Sequence, residues 1–480
     1  MSKIEVNTVE PQCGTTLTLG ASGDTVTIPS GATISNLGTA AGFGSTGEVS
    51  WNTTVKTADF TATSGSGFFV NTAGGAVTVT LPSSPSSGNV VAVSDYNGTA
   101  GTNTITIGRN SSNINGNASD ILITKANSAV QLVYVDATTG WQNVTTANPS
   151  DVTNPFVEAT GGTITTCGNF KIHKFTGPGT FTVTNAGSGS GSNTVSYLVV
   201  AGGGGGGGDE PNGYGAAGGG AGGFRESKAS TDSYTASPLN ATSGPTYNLP
   251  VSVQGYPITV GGGGAAGPNP TSGGSRGVSS TFSSITSTGG GGGNKGTSPG
   301  NPLAPGGSGG GGAGPSSANA QGAGGTGNTP PVSPSQGNNG GNARTPGSTP
   351  KLGGAGGGGA TAVGEPFTDA FPGNTAGDGG AGATTSISAT PTAYSGGGGG
   401  GSFNSIPAGD NITDGAGGTG GGGPGGQVIP GNSHNAGAGT ANTGGGGGGA
   451  ASNNNPSGPA AIVNAGAGGS GIVIIRYKFQ

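Results

Sequence analysis

The side chains able to do acid–base or metal chemistry are few and scattered. Only two histidines occur in 480 residues. His173 sits inside the strand-like stretch FKIHKF (170–175), the setting of a structural face residue rather than of a catalytic base. His434, in PGNSHNAG (430–437), belongs to a polar loop and suits surface contact better than metal binding. No H-x-H pair exists to build an octahedral iron site, and no Cys/His cluster has zinc spacing. Glycoside hydrolysis needs two carboxylates across one cleft. The acids on offer are Asp369, Asp378, Asp410 and Asp414, with Asp209 and Glu210 adjacent in sequence, and no long repetitive β domain is there to shape a cleft. GDNITDG (409–415) offers Asp410, Asn411 and Asp414 as oxygen ligands for calcium, with a solvated turn as the simpler alternative. The expectation is a protein without enzymatic activity, catalytic residues, cofactor or assigned metal ligands.

Binding is the better-supported chemistry. Aromatic residues make up only 5% of the chain, so large apolar side chains inside polar loops stand out. Tyr214, Phe367, Phe371, Tyr394, Phe403, Ile406, Ile412, Val428, Ile429 and His434 are the candidate contacts. Aromatic rings stack on sugar faces, Asn and Asp side chains bond sugar hydroxyls, and the same set suits loops of an outer-membrane protein. The competing expectation is that about half of them plug the ends of a glycine scaffold and hold its loops down.

The elements that must position these residues follow from composition. Glycine (114) and proline (31) are frequent enough to raise disorder, yet charged residues are only 7%, unlike most disordered tails. Net charge is −5, with Lys and Arg spread singly, which argues against a nucleic-acid partner. No apolar run approaches the ~20 residues of a membrane helix. MSKIEVNTVEPQ lacks the apolar core of a secretory signal, and Cys13 and Cys167, far apart, read as unpaired thiols. Helical-period runs of Ala, Leu, Glu and Lys are missing, and Thr, Val, Ile, Ser, Asn and Gly dominate. The fold class expected is all-β.

Residues 1–47 carry short alternating pieces, TTLTLG, DTVTIP and ATISN, read as a thin fibrous β segment or else a flexible arm. Residues 48–147 read as a compact β-rich module, a sandwich, prism or small barrel, through AVTVTLP, NVVAVSDY, NTITIGR, DILITKA and AVQLVYVD, with Trp141 as a packing residue. A Pro-punctuated linker, NPSDVTNPFVEAT, follows over 148–160, and then a glycine-rich domain over 161–480.

YLVVAGGGGGGGDE (197–210) runs a strand straight into seven glycines. A flexible linker would contain no strands and need no closing element. Here YPITVGGGG (256–264) and STFSSITSTGGGGG (280–293) repeat the phrase, and GGSGIVIIRYKFQ (468–480) ends the chain on a strand. Strands at 169–201 and 471–479 are therefore expected to bracket the glycine runs. Ordering glycine is entropically costly, and apolar side chains are too few here to offset it. Polyproline-II-like helices have three residues per turn and outward-pointing N–H and C=O groups. When every facing side chain is a hydrogen, such rods can pack closely and satisfy one another. A packed polyglycine-II-type bundle on a β platform is the expected architecture, with kinked strands and disorder as alternatives.

Several stretches resemble a known group. TLTLGASGDTVTIPSGATISN (16–36) resembles the opening of virion fibre proteins from tailed phages of marine bacteria. Residues 68–144 are similar to a module repeated in such fibres, and KFTGPGTFTV, YLVVAGGGGGG, YPITVGGGG and GGSGIVIIRY resemble the glycine-rich domain that ends many phage tail fibres. The resemblance implies a homotrimeric fibre, attached through its N-terminus to virion tail proteins, made in the host cytoplasm and acting at the host surface. It implies a receptor-binding tip whose partner is a host surface glycan or outer-membrane protein. The alternative is a non-adhesive head or neck fibre.

Overall fold

The computed structural model describes residues 25, 27, 49–145, 152–188, 191–211, 213–270, 272–296, 305–313, 322–343, 353–368, 375–405, 412–429, 431–454 and 461–480. The chain divides into a unit at Met1–Val49 and a unit at Ser50–Gln480. Apart from the exposed Thr25 and Thr27, the fibrous segment expected at 1–47, with Cys13, lies outside the described residues. Among the described residues there is no α-helix: the protein is all-β.

The second unit begins with β1 (Ser50–Lys56), β2 (Phe60–Thr61), β3 (Ser66–Val70), β4 (Val77–Thr80), β5 (Val90–Asp95), β6 (Ile105–Gly108), β7 (Ile121–Ile123), β8 (Ala129–Asp136), β9 (Gly140–Thr145) and β10 (Val152–Thr153). They form two five-stranded sheets, β1-β3-β5-β8-β9 and β10-β7-β6-β4-β2. Odd and even strands among the first six go to opposite sheets and pair in parallel there, before antiparallel strands complete each sheet. Val–Thr alternation explains the layering: Val77 and Val79 are buried while Thr78 and Thr80 are half-exposed. The inward faces meet in one core containing Phe68, Val93, Ile105, Ile107, Leu132 and Trp141. The module is a two-sheet sandwich, and no sheet closes into a barrel. Strand β10 lies in the stretch expected as a linker and joins the second sheet through Leu122 and Ile123.

Next come β11 (Val157–Thr160), β12 (Thr163–Cys167), β13 (Phe170–Phe175), β14 (Gly179–Ala186), β15 (Thr194–Val200), β16 (Phe224–Ser227), β17 (Leu249–Pro250), β18 (Gly255–Thr259), β19 (Ser280–Phe282) and β20 (Ile285–Ser287). The last five are β21 (Ala383–Thr385), β22 (Thr392–Tyr394), β23 (Phe403–Ser405), β24 (Ser452–Asn454) and β25 (Ile472–Lys478). One sheet runs β11-β14-β18-β19-β20 and another β12-β13-β25-β15-β16. The C-terminal strand β25 is antiparallel to both β13 and β15, so the chain end closes the platform from which the glycine runs leave.

Both central strands are apolar without alternation because both of their faces are covered. Tyr197 and Val199 on β15, with Val473, Ile475 and Tyr477 on β25, pack against Phe181 and Phe282. Leu198, Val200, Ile472 and Ile474 face the other way, onto Phe224, Tyr234, Ile387 and Tyr394. The chain end also reaches the sandwich: Arg109 Nη2 donates to Gln480 Oε1 at 2.9 Å, and the Ser119 hydroxyl to the Phe479 carbonyl at 3.1 Å.

Candidate functional site

Beyond β15 the backbone stays extended but stops pairing as a sheet. Gly202 donates to Val278, Gly203 to Gly469 and Gly204 to Gly220; three residues later Gly205 donates to Ser275, Gly206 to Gly466 and Gly207 to Ala217. The donors thus address three neighbouring segments in rotation, each running antiparallel to 202–208. Three parallel segments donate back: Gly290 to Gly202 and Gly293 to Gly205, Gly264 to Gly203 and Gly267 to Gly206, Gly447 to Gly204 and Ala450 to Gly207. From 202 to 207 every N–H and every C=O is satisfied, which offsets the desolvation of a buried backbone.

Glycine is required here for space. A Cβ added at Gly203, Gly204, Gly205, Gly206 or Gly207 would lie 1.9–2.1 Å from a neighbouring carbonyl oxygen. Later segments follow the same rule: Gly397, Gly400 and Gly418 meet Gly357, Gly354 and Gly380 oxygens at 2.0–2.1 Å.

The registers place one end of these segments at the platform and the other away from it. At the distal end of 202–208 lies Asp209, with no exposed surface. Its Oδ1 accepts the Glu210 amide at 3.0 Å and its Oδ2 the Gly215 amide at 3.1 Å, while its own amide donates to Asn269 Oδ1 at 2.9 Å. Burial pushes the carboxyl up to about 6, against the opposing pull of the Ser452 hydroxyl and the Glu210 and Gly215 amides. Gly213 and Gly296 are packed so closely on Oδ1 that a Cβ would come within 1.9 and 2.1 Å. Beside them Lys295 pairs with Glu210 at 3.1 Å.

The sequence-predicted contact residues divide by burial. Tyr214 is half-buried, its ring 6.0 Å from Phe403. Ile429 is half-buried, and His434 is exposed with Nε2 3.7 Å from Asp414 Oδ1. Phe367, Phe403, Ile412 and Val428 are buried at the distal end. Phe367 covers Gly353, where a Cβ would meet its ring at 2.7 Å. Ile412 and Val428 are tied down through Asn404, whose Nδ2 donates to the Val428 carbonyl and whose Oδ1 accepts the Ile412 amide. Tyr394 is not distal at all: it packs against the platform with Leu198 and Ile474. These five side chains therefore serve as packing, because a segment end made of glycine has no side chain of its own to exclude water. Phe371 and Ile406, with Asp369, Asp410 and Asn411, lie outside the described residues.

The remaining chemistry-bearing residues are committed to the fold. His173 Nδ1 is 2.7 Å from the Gly161 carbonyl, which can only accept, so this nitrogen carries the proton. Nε2 then accepts from the Tyr477 hydroxyl at 3.1 Å, and burial holds the imidazole below its ordinary value. Cys167 is a free thiol. No group of three or more His, Cys, Asp or Glu placed for a metal occurs among the described residues. Sequence reasoning missed the buried ion pair of Arg476 and Asp232, and missed the burial of Asp209. An acid placed directly after seven glycines was the one available signal for the latter.

No curated protein matches the chain. The glycine-rich domain family matches residues 175–478, from the end of β13 to the end of β25, and takes in every glycine segment described above. On that match the chain belongs to the glycine-rich domain family.

Proposed function

We propose that this protein is a tail-fibre receptor-binding protein of a tailed phage, a homotrimer anchored to the virion through its N-terminus, whose glycine-rich tip adheres to the host cell surface. The observation that carries the reading is the three-residue rotation of backbone hydrogen bonds through residues 202–208. In this reading the segments are polyglycine-II-type rods, which at ~3.1 Å per residue would extend about 22 Å over seven glycines; the three-residue rotation supports it. A scaffold of such rods holds the loops at its distal end in place before any ligand arrives, so less ordering entropy opposes binding. Three tips per fibre would then convert weak contacts into firm attachment. Tyr214, Ile429 and His434 are the described distal candidates that retain exposed surface. The partner would be a surface glycan or an outer-membrane protein.

One observation favours the second reading, a non-adhesive head or neck fibre: Phe367, Tyr394, Phe403, Ile412 and Val428 are buried. Competition separates the two. Purified full chain incubated with susceptible cells should block virion adsorption in a saturable way under the adhesin reading. Absence of competition at saturating protein rejects it and leaves the structural fibre.

A further inference from the structure

The sandwich module carries an exposed aromatic face that no expectation above included. Trp51 on β1 lies opposite Gly67 on β3 in the parallel register. A Cβ on Gly67 would sit 2.6 Å from the indole, so the ring covers bare backbone at this position. Trp51 is 41% exposed. Phe69, two residues further on the same face of β3, stacks beside it with centroids 4.8 Å apart and an interplanar angle of 28°. Tyr96, immediately after β5, stands edge-on to Phe69 at 6.4 Å and is 55% exposed.

Polar groups rim the rings. Neither the Trp51 Nε1–H nor the Tyr96 hydroxyl has a hydrogen-bond partner among the described residues. The register sets Ser94 beside Phe69 and Ala92 beside Gly67, so no formal charge lies between the strands at this place. Lys56, the nearest cation on β1, is directed over the Phe60 ring at 5.5 Å.

We propose that Trp51, Phe69 and Tyr96 form a platform for the pyranose rings of a neutral polysaccharide. A pyranose presents a C–H face that packs on an aromatic plane and hydroxyls around its edge that seek donors and acceptors. The three rings supply both, exposed apolar aromatic surface and, at its margin, polar groups without a partner among the described residues. Its charge character selects among occupants: with no cation at the paired positions of β1, β3 and β5 around the rings, a polyanion or an anionic membrane gains little there. An uncharged, hydroxylated chain is complementary. The platform lies in the sandwich, apart from the glycine-rich tip, so its occupancy does not depend on the adhesin reading.

The test uses the full chain and a panel of soluble neutral polysaccharides: a β-glucan, a xylan, a galactomannan and an α-glucan. The chain has two tryptophans, and Trp141 is fully buried, so ligand-dependent fluorescence reports on Trp51. The expected result is a saturable emission shift and retarded migration in a gel containing at least one polysaccharide. Affinity should fall at least tenfold in Trp51→Ala and in Tyr96→Ala, and less in Trp51→Tyr. Tyr96 supports no core contact, so its variant remains informative if Trp51→Ala fails to fold. No response to any member of the panel overturns the proposal, as does undiminished binding by Tyr96→Ala. A Trp51-dependent change in oligomeric mass without polysaccharide binding also overturns it and makes the face a contact between copies.

Discussion

The amide of Gly203 donates to the carbonyl of Gly469 at 2.9 Å, so the first glycine segment after the platform lies directly against the last one before the chain closes. Everything between them in sequence is enclosed by that contact and by the pairing of β15 with β25. Stability of the glycine-rich domain should therefore be sensitive to single methyl groups at positions that any sequence scale would regard as neutral.

Gly205→Ala and Gly262→Ala test this as a pair. A Cβ at Gly205 meets the Ala265 oxygen at 2.0 Å, whereas nothing lies within 4 Å of one at Gly262. Gly205→Ala should destabilise by ~1–3 kcal/mol or more, as overpacking does. Gly262→Ala should be neutral or stabilise by up to ~1 kcal/mol by restricting the unfolded chain. Thermal denaturation of both variants checks the contrast; equal midpoints would sink the close-packed account.

Arg476 and Asp232 form a buried ion pair, Nε to Oδ1 at 3.0 Å and to Oδ2 at 3.1 Å, with the guanidinium 4.5 Å from the Phe170 ring centroid. Ser196 also donates to Asp232 at 2.8 Å. Removing one partner leaves the other charge buried and unpaired, so Arg476→Met should cost about 3–5 kcal/mol. The double variant Arg476→Met/Asp232→Leu should recover part of that loss. A double-mutant cycle by chemical denaturation measures the coupling, and simple additivity would refute it.

Asp209 should make the folded chain more stable in mild acid. Its folded value of about 6 lies above the ordinary 3.8, so the folded state binds a proton more readily than the unfolded one. The stabilising difference is full below about 4, shrinks as pH rises, and is gone above about 6; two units correspond to roughly 3 kcal/mol. Asp209→Asn should remove this dependence. The readout is the difference in melting temperature between parent and variant from pH 4 to 7, and a constant difference would contradict the burial argument.

His173 should act in the opposite sense. Burial, with a smaller contribution from the Lys171 charge, lowers its value below 6.5, although the Gly161 carbonyl pulls it back up. The neutral imidazole contributes stability above pH 6.5 that is lost as pH falls below it. His173→Gln should lower stability at pH 7.5 and flatten the acid side of the profile. A variant as stable as the parent at pH 7.5 and throughout the acid side would show that the Gly161 and Tyr477 contacts contribute nothing.

Much of the β framework was legible in the residues. Val77 and Val79 alternate with threonines, and burial follows that alternation. The apolar runs of β15 and β25 announced strands bracketing the glycine segments, though not that both of their faces are covered. Strand pairing in the sandwich was not legible. Parallel exchange between two sheets and simple hairpins use the same alternation, and turn signals alone do not say which sheet receives the next strand.

Binding candidates were the least legible. Phe367 and His434 look alike in sequence, each a large side chain among polar neighbours, yet one is 2% exposed and the other open to solvent. Trp51 drew no notice because its significance depends on Gly67, opposite it on another strand. By itself the sequence determined an all-β chain whose glycine runs alternate with strands, since side-chain size and periodicity are local properties. Only the tertiary structure decided which glycine bonds to which. A residue without a side chain carries no pattern, and its partners are chosen by backbone groups that are identical at every position.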